Sequence, residues 1–181
     1  MKWTFRQAEN KDIDAIVTLV DSAYRGDSSR QGWTTEADLL DGRRTFVDEV
    51  AEIISAEQNT IIMLEDEAKL LASVHVKKLS DGDIGSETGR AYLGMFAVEP
   101  ASQNLGIGKI VMDYAEKYVM EEWQCSEMEM SVIRQRVELI SWYEKLGYRV
   151  TGETRAFPYG DERYGIPKRG DLVLDVLVKH I

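Results

Sequence analysis

Gln103, Gly106, Gly108 and Lys109 form the most chemically telling cluster of the chain. They follow a β-branched and aromatic stretch from Arg90 that ends near Val98, with Pro100 fixing the turn. They precede a segment in which Ile107, Ile110, Val111, Tyr114 and Tyr118 recur with helical periodicity, giving a stripe that should pack on a sheet. A strand-to-helix turn leaves the first helical N–H groups without intrahelical partners, and glycines there let a ligand approach the backbone with no Cβ in its way. The helix dipole adds partial positive charge and Lys109 could add a full one, so the natural occupant is an anion such as a pyrophosphate.

Two common phosphate motifs fail on spacing. A P-loop would have glycine in place of Gln103 and Ser or Thr in place of Ile110, and a dinucleotide fingerprint would have a third glycine near Val111.

The elements that would position this loop can be read in order. Trp3 to Gln7 is a short strand, and Asp12 can cap a helix carrying Ile13, Ile16, Val17, Val20 and Tyr24 on one face. Arg25 to Thr34 is a polar loop with one exposed-looking aromatic, Trp33. Thr35 and Asp38 suggest a capping box opening a helix that continues through Phe46, Val50, Ile53 and Ile54 to about Glu57, broken near Gly42. Thr60 to Glu65 and Lys69 to Lys78 make a hairpin, and an acidic loop from Ser80 to Gly89 leads to the central strand. Glu127 to Ile133 alternates as a half-buried strand does, and a right-handed crossover would set it parallel to the central strand. Arg136 to Leu146 is a helix stopped by Gly147. Tyr148 to Phe157 and Leu172 to Ile181 are the last strands, separated by a long loop, Pro158 to Gly170.

Composition narrows the function. At 181 residues with no linker-like break, one domain spanning 1–181 is expected. A formal charge of −10 with scattered basic residues disfavours a nucleic-acid surface. No apolar run approaches a membrane span and no secretory signal opens the chain, while a single cysteine, Cys125, suits a reducing compartment, so a cytoplasmic protein is expected. Two histidines and one cysteine cannot supply a standard zinc set, and no carboxylate run matches a calcium loop, so no metal is expected.

The sequence Val98-Glu99-Pro100 followed by Gln103-Asn104-Leu105-Gly106-Ile107-Gly108 resembles the GNAT superfamily of acyl-CoA-dependent N-acetyltransferases. A second segment, Ser141-Trp-Tyr-Glu-Lys-Leu-Gly-Tyr, is similar to that superfamily's Tyr-Glu-Lys-Leu-Gly-Phe stretch, and the order of elements agrees along essentially the whole chain. The resemblance implies an α/β (α+β) fold whose mixed, mostly antiparallel central sheet splays at one parallel strand pair, with helices on both faces. It also implies acetyl-CoA as co-substrate, lying in the opening. Backbone groups of Phe96 and Val98 would pair with its pantetheine arm as an added strand does. Amides of Asn104, Leu105, Gly106, Ile107, Gly108 and Lys109 would hold the pyrophosphate, and Gln103 would either join them or brace the loop.

By the same resemblance Tyr143 matches the tyrosine whose hydroxyl serves the departing thiolate, and an N–H near Ala97 would meet the oxyanion. Arg136 stands where the superfamily often has Asn, leaving a cation that could meet a CoA phosphate. No acid lies between Ala91 and Val98, so a base would have to come from Glu99, Glu129 or His75. Nothing near Cys125 is an evident base, and a covalent acyl-enzyme is not expected.

The implied acceptor site lies between the loops Arg25 to Thr34 and Phe157 to Arg169. There Trp33, Phe157, Tyr159 and Tyr164 offer aromatic faces, and Arg30, Arg155 and Arg163 could pair with a carboxylate. The reading is transfer of an acetyl group to a small or amino-acid-like amine. The alternatives are a non-catalytic acyl-CoA-binding regulatory module and a protein-directed acetyltransferase. Edge pairing or exchange of the closing strand could make a homodimer.

Overall fold

A computed structural model describes residues 2–79 and 89–181, and the expected acidic loop from Ser80 lies outside the described residues up to Gly89. In chain order the elements are β1 (Trp3–Gln7), α1 (Ile13–Tyr24), β2 (Leu40–Asp41), α2 (Val47–Ser55), β3 (Asn59–Asp66), β4 (Lys69–Lys78) and β5 (Gly89–Val98). They continue with α3 (Ile107–Trp123), β6 (Cys125–Ile133), α4 (Val137–Lys145), β7 (Arg149–Ala156), β8 (Ile166–Pro167) and β9 (Val173–His180).

Seven strands form one sheet in the order β1-β3-β4-β5-β6-β9-β7, and every neighbouring pair is antiparallel except β5 with β6. Alternation along β3 separates the two core layers. Ile61 and Met63 join Ile16, Val20 and Val50 beneath α1 and α2, while Ile62 and Leu64 join Val111, Met112 and Leu139 beneath α3 and α4. The β3–β4 turn places Glu67 and Ala68 at φ 49° and 69°, the left-handed geometry that a two-residue hairpin demands.

The buried stripe of α3 is Ile107, Val111, Met112, Ala115 and Val119. This corrects the expected stripe by part of a turn: Ile110 and Tyr114 sit at its border, and Tyr114 stacks on Phe5 with ring centroids 3.9 Å apart. A second correction falls on Thr35 to Glu57, where the helix begins only at Val47. Thr35 Oγ1 accepts from the Ala37 N–H at 3.1 Å, and Leu40 and Asp41 pair with Pro167 and Ile166. That pairing partner lies far along the chain, and it takes the segment out of helix.

The site is made by a parting of strands. β5 and β6 pair only from Gly89–Cys125 to Tyr92–Glu129, although β5 runs on to Val98 and β6 to Ile133. Opposite β4, His75 pairs with Gly94 and Ser73 with Ala97, so Met95 and Phe96 together face Val74. Met95 takes φ 44° at this bulge. A bulge bends its strand, and here it falls where β5 leaves β6.

Candidate active site

Beyond Val98 a short 3₁₀ turn, Pro100–Ser102, leads to Asn104 at φ 65°, Gly106 at φ 80° and the start of α3. Among the described residues no protein acceptor takes a backbone N–H from Asn104 through Lys109; Ile110 is the first to donate, to Gly106. A Cβ placed on Gly106 would meet nothing within 4 Å, so these donors face open space. Leu105 projects outward, 64% exposed, and Lys109 pairs along the helix with Asp113 at 2.6 Å. Gln103 is the brace of this loop. Its Oε1 accepts the Trp33 N–H at 2.9 Å, and its Nε2 donates to Thr34 Oγ1 at 2.9 Å and to the Val98 carbonyl at 3.1 Å.

A cavity of about 300 Å³ adjoins the loop, walled by Trp33, Phe96, Val98, Gly108 and Trp142. Trp142 packs against both Trp33 and Phe96, with centroids 5.9 and 6.2 Å away. The Glu99 N–H donates to Leu71 on the β4 side, so strand alternation turns Phe96 and Val98 toward the gap left by β6. The same alternation turns the Ala97 N–H toward β4, which corrects the expectation of an oxyanion donor there; the gap-facing amides are those of Phe96 and Val98. The Phe96 carbonyl already accepts from the Tyr24 hydroxyl.

A second cavity of about 430 Å³ lies on the α1 and α2 side of the gap, lined among others by Glu49, His75, Tyr92, Phe157 and Tyr164. Tyr24, Phe96, Leu139 and Tyr143 line both cavities. Tyr143 therefore stands at their junction. It is 4% exposed, its hydroxyl has no hydrogen-bond partner among the described residues, and burial drives its pKa far above the ordinary phenol value. Such a group stays protonated and keeps a proton to donate.

Arg136 is corrected. Its guanidinium is buried, bonds Glu36 at 2.8 Å and the Thr34 carbonyl, and lies 5.5 Å from the Tyr24 ring centroid, so its donors are committed inside the protein rather than offered to a phosphate. Glu36 also receives Arg25. Burial acts to raise the Glu36 carboxyl pKa, but Arg136, Arg25 and Arg44 outweigh it and hold the group below its ordinary value.

The expected acceptor residues are brought together only in part. Phe157 and Tyr164 line the second cavity, whereas Trp33 lines the first. Arg30 turns to Asp38 at 2.8 Å and lines neither. The Tyr159 hydroxyl accepts from the Leu172 N–H at 2.7 Å and donates to the Arg169 carbonyl at 3.0 Å, pinning its own loop away from both. Of the proposed bases, Glu99 is tied to Lys69 at 2.6 Å, Glu129 to Arg90 at 3.0 Å and to Arg155, and only His75 reaches the second cavity. Burial pushes the His75 pKa down to about 4, and its Nε2 lies 2.9 Å from Asn59 Oδ1. Sequence reasoning passed over Tyr24, Glu36, Arg44 and Trp142. Only Trp142 carried a signal, through its place beside Tyr143.

A family model for the acetyltransferase (GNAT) family matches residues 16–148, which span α1 to the end of α4 and include both glycines of the loop. The chain belongs to the GNAT acetyltransferase family. Among curated proteins it is similar to a spermine/spermidine N(1)-acetyltransferase of Bacillus subtilis (strain 168), 24% identical over 71 residues, covering 39% of this chain and 47% of that relative. The chain thus spans about half the length of the relative it matches. Among solved structures, the ribosomal-protein-S18-alanine N-acetyltransferase of Escherichia coli superposes with TM-score 0.69 and 16% identity, over 99% of this chain and 94% of that one. An N-acetyltransferase of Staphylococcus aureus Mu50 superposes with TM-score 0.72 and 9% identity, over 99% and 98%. These likenesses establish the GNAT fold. Among the described residues, no cluster of His, Cys, Asp or Glu could hold a metal, and no helix is long and apolar enough to cross a membrane.

Proposed function

We propose that the protein transfers the acetyl group of acetyl-CoA directly to the amine of a small acceptor. One observation carries this reading: Tyr143 stands where two cavities meet, one ending at a row of unsatisfied backbone N–H groups and the other closed by buried polar side chains. The N–H groups from Asn104 to Lys109 fit a pyrophosphate, since no protein atom satisfies them and a Cβ on Gly106 would meet open space. The gap-facing amides of Phe96 and Val98 suit a pantetheine arm laid along β5. A volume of about 430 Å³ suits a small acceptor.

Bound acetyl-CoA would supply an acetyl group activated as a thioester. The transfer forms an N–C bond and breaks a C–S bond; the acceptor nitrogen gives up a proton and the sulfur leaves as a thiol. Tyr143, held protonated by burial, donates a hydrogen bond to the departing sulfur, which lowers the cost of developing thiolate charge. His75 is neutral at pH 7 but too weakly basic to take the proton of an ammonium, so the acceptor reacts as the neutral amine that has already lost that proton to bulk solvent.

The test is to incubate the protein with acetyl-CoA and a panel of amines while following thiol release and acetylated product. Product formation on small amines supports the reading. Binding of acetyl-CoA with thiol release only on a protein partner, or on nothing, overturns it in favour of a protein-directed enzyme or a regulatory module respectively.

A further inference from the structure

The second cavity holds more positive charge than its own carboxylates neutralise. Its wall carries Arg25, Arg44, Lys77 and Arg136 against Glu36, Glu49 and Glu52, an excess of cations in a chain whose formal charge is −10. Glu36 is a single carboxylate that faces Arg25, Arg44 and Arg136 together. Arg25 is only 6% exposed and gives Nη1 to Glu36, while its Nε and Nη2 have no acceptor. Arg44 has neither an ion pair nor a side-chain hydrogen bond among the described residues, although its guanidinium carbon lies 5.8 Å from the Tyr24 ring centroid and it lines the cavity. Glu49 on α2 acts on it through space but makes no ion pair with it, and its Oε2 accepts from the Thr45 hydroxyl at 2.7 Å. Exposed arginines are satisfied by water. A guanidinium set into a cavity wall, behind which a further buried cation stands with unused donors, is short of an anion.

We propose that Arg44, backed by the Arg25–Glu36–Arg136 cluster, binds a carboxylate carried by the amine acceptor, a proposal that rests on the acetyl-transfer reading of this same site. The arrangement suits such a molecule end to end. Arg44 and Tyr143 line the same cavity, together with Tyr24 and Tyr92, so one small molecule held there can meet both. A carboxylate held by Arg44 leaves the amine free to point toward Tyr143. The planar fork of a guanidinium matches a carboxylate with two parallel bonds, which an ammonium cannot do. An acceptor that is a polycation would bring positive charge against positive charge here.

The experiment measures kcat/KM, with acetyl-CoA saturating, for a panel of amino acids of different length, each beside its carboxamide and its decarboxylated amine. The carboxylate form is expected to exceed both partners by roughly ten- to hundred-fold, the worth of a hydrogen bond to a charged group. Arg44→Gln should bring that ratio near one, mainly through KM, and Arg44→Lys should restore part of it. Melting curves of both variants with acetyl-CoA report that the fold and the co-substrate site are intact. Acetylation of the panel with no preference for the carboxylate, or a preference unchanged in folded Arg44→Gln, overturns the inference and leaves acetyl transfer standing. Acetyl-CoA binding with no carboxylate-bearing amine acetylated also overturns it. Failure of acetyl-CoA to raise the melting temperature of the wild-type protein removes both.

Discussion

The side-chain amide of Gln103 donates to the Val98 carbonyl at 3.1 Å, tying the last residue of β5 to the loop that opens α3. The same side chain holds the Trp33 N–H and the Thr34 hydroxyl, so one glutamine joins three segments. Replacing it by Ala leaves a buried N–H without an acceptor and should cost about 1–3 kcal/mol in chemical denaturation. Acetyl-CoA affinity should fall with it, because the loop loses its fixed shape. A mutant of wild-type stability would show that the brace carries no energy.

Tyr143→Phe separates chemistry from folding. The hydroxyl binds no described protein group, so stability should hardly change, while kcat falls roughly hundred-fold and KM for acetyl-CoA stays within about two-fold. Burial raises this phenol above its ordinary value near 10, so the wild-type rate should show no alkaline decline attributable to Tyr143 up to about pH 10. An unchanged kcat removes the residue from the reaction.

Arg136→Gln tests a strut against a phosphate ligand. Loss of the 2.8 Å pair with buried Glu36 should destabilise the fold by roughly 3–5 kcal/mol. The preference for CoA over its 3′-dephospho form should stay as in the wild type. A lost preference with stability intact would return Arg136 to the co-substrate.

His75 makes stability depend on acidity. Its pKa is depressed from 6.5 to about 4 by burial, so the unfolded chain binds a proton that the folded one refuses. Stability is therefore complete above pH 6.5 and declines as the pH falls toward 4, by roughly 3 kcal/mol in all. The stability difference between wild type and His75→Gln should shift by that amount across the range, against the wild type as the pH falls, if the imidazole is the source, and stay constant if it is not.

Local patterns made much of this molecule readable. The hairpin, the glycine loop, α4 and its Gly147 stop, at φ 96°, depend on residues near one another in sequence, and the structure has them where the patterns put them. The segment from Thr35 to Phe46 was opaque because β2 exists only through β8, more than a hundred residues on. Arg136 and Arg44 show the other limit. An arginine in a sequence does not say whether its charge will meet water, a buried Glu36 or a cavity, and that choice is made by packing between distant elements. The bulge at Met95 likewise left no mark, since methionine is not a residue that advertises a positive φ.

The shared wall of the two cavities has a kinetic corollary. Cys125 is buried, lines neither cavity and has its thiol pKa raised by burial, so the single cysteine is not placed to carry an acyl group between one visit and the next. Under the proposed direct transfer, donor and acceptor occupy the protein together. Double-reciprocal plots of initial rate should intersect rather than run parallel, and labelled CoA should not exchange into acetyl-CoA until an amine is present.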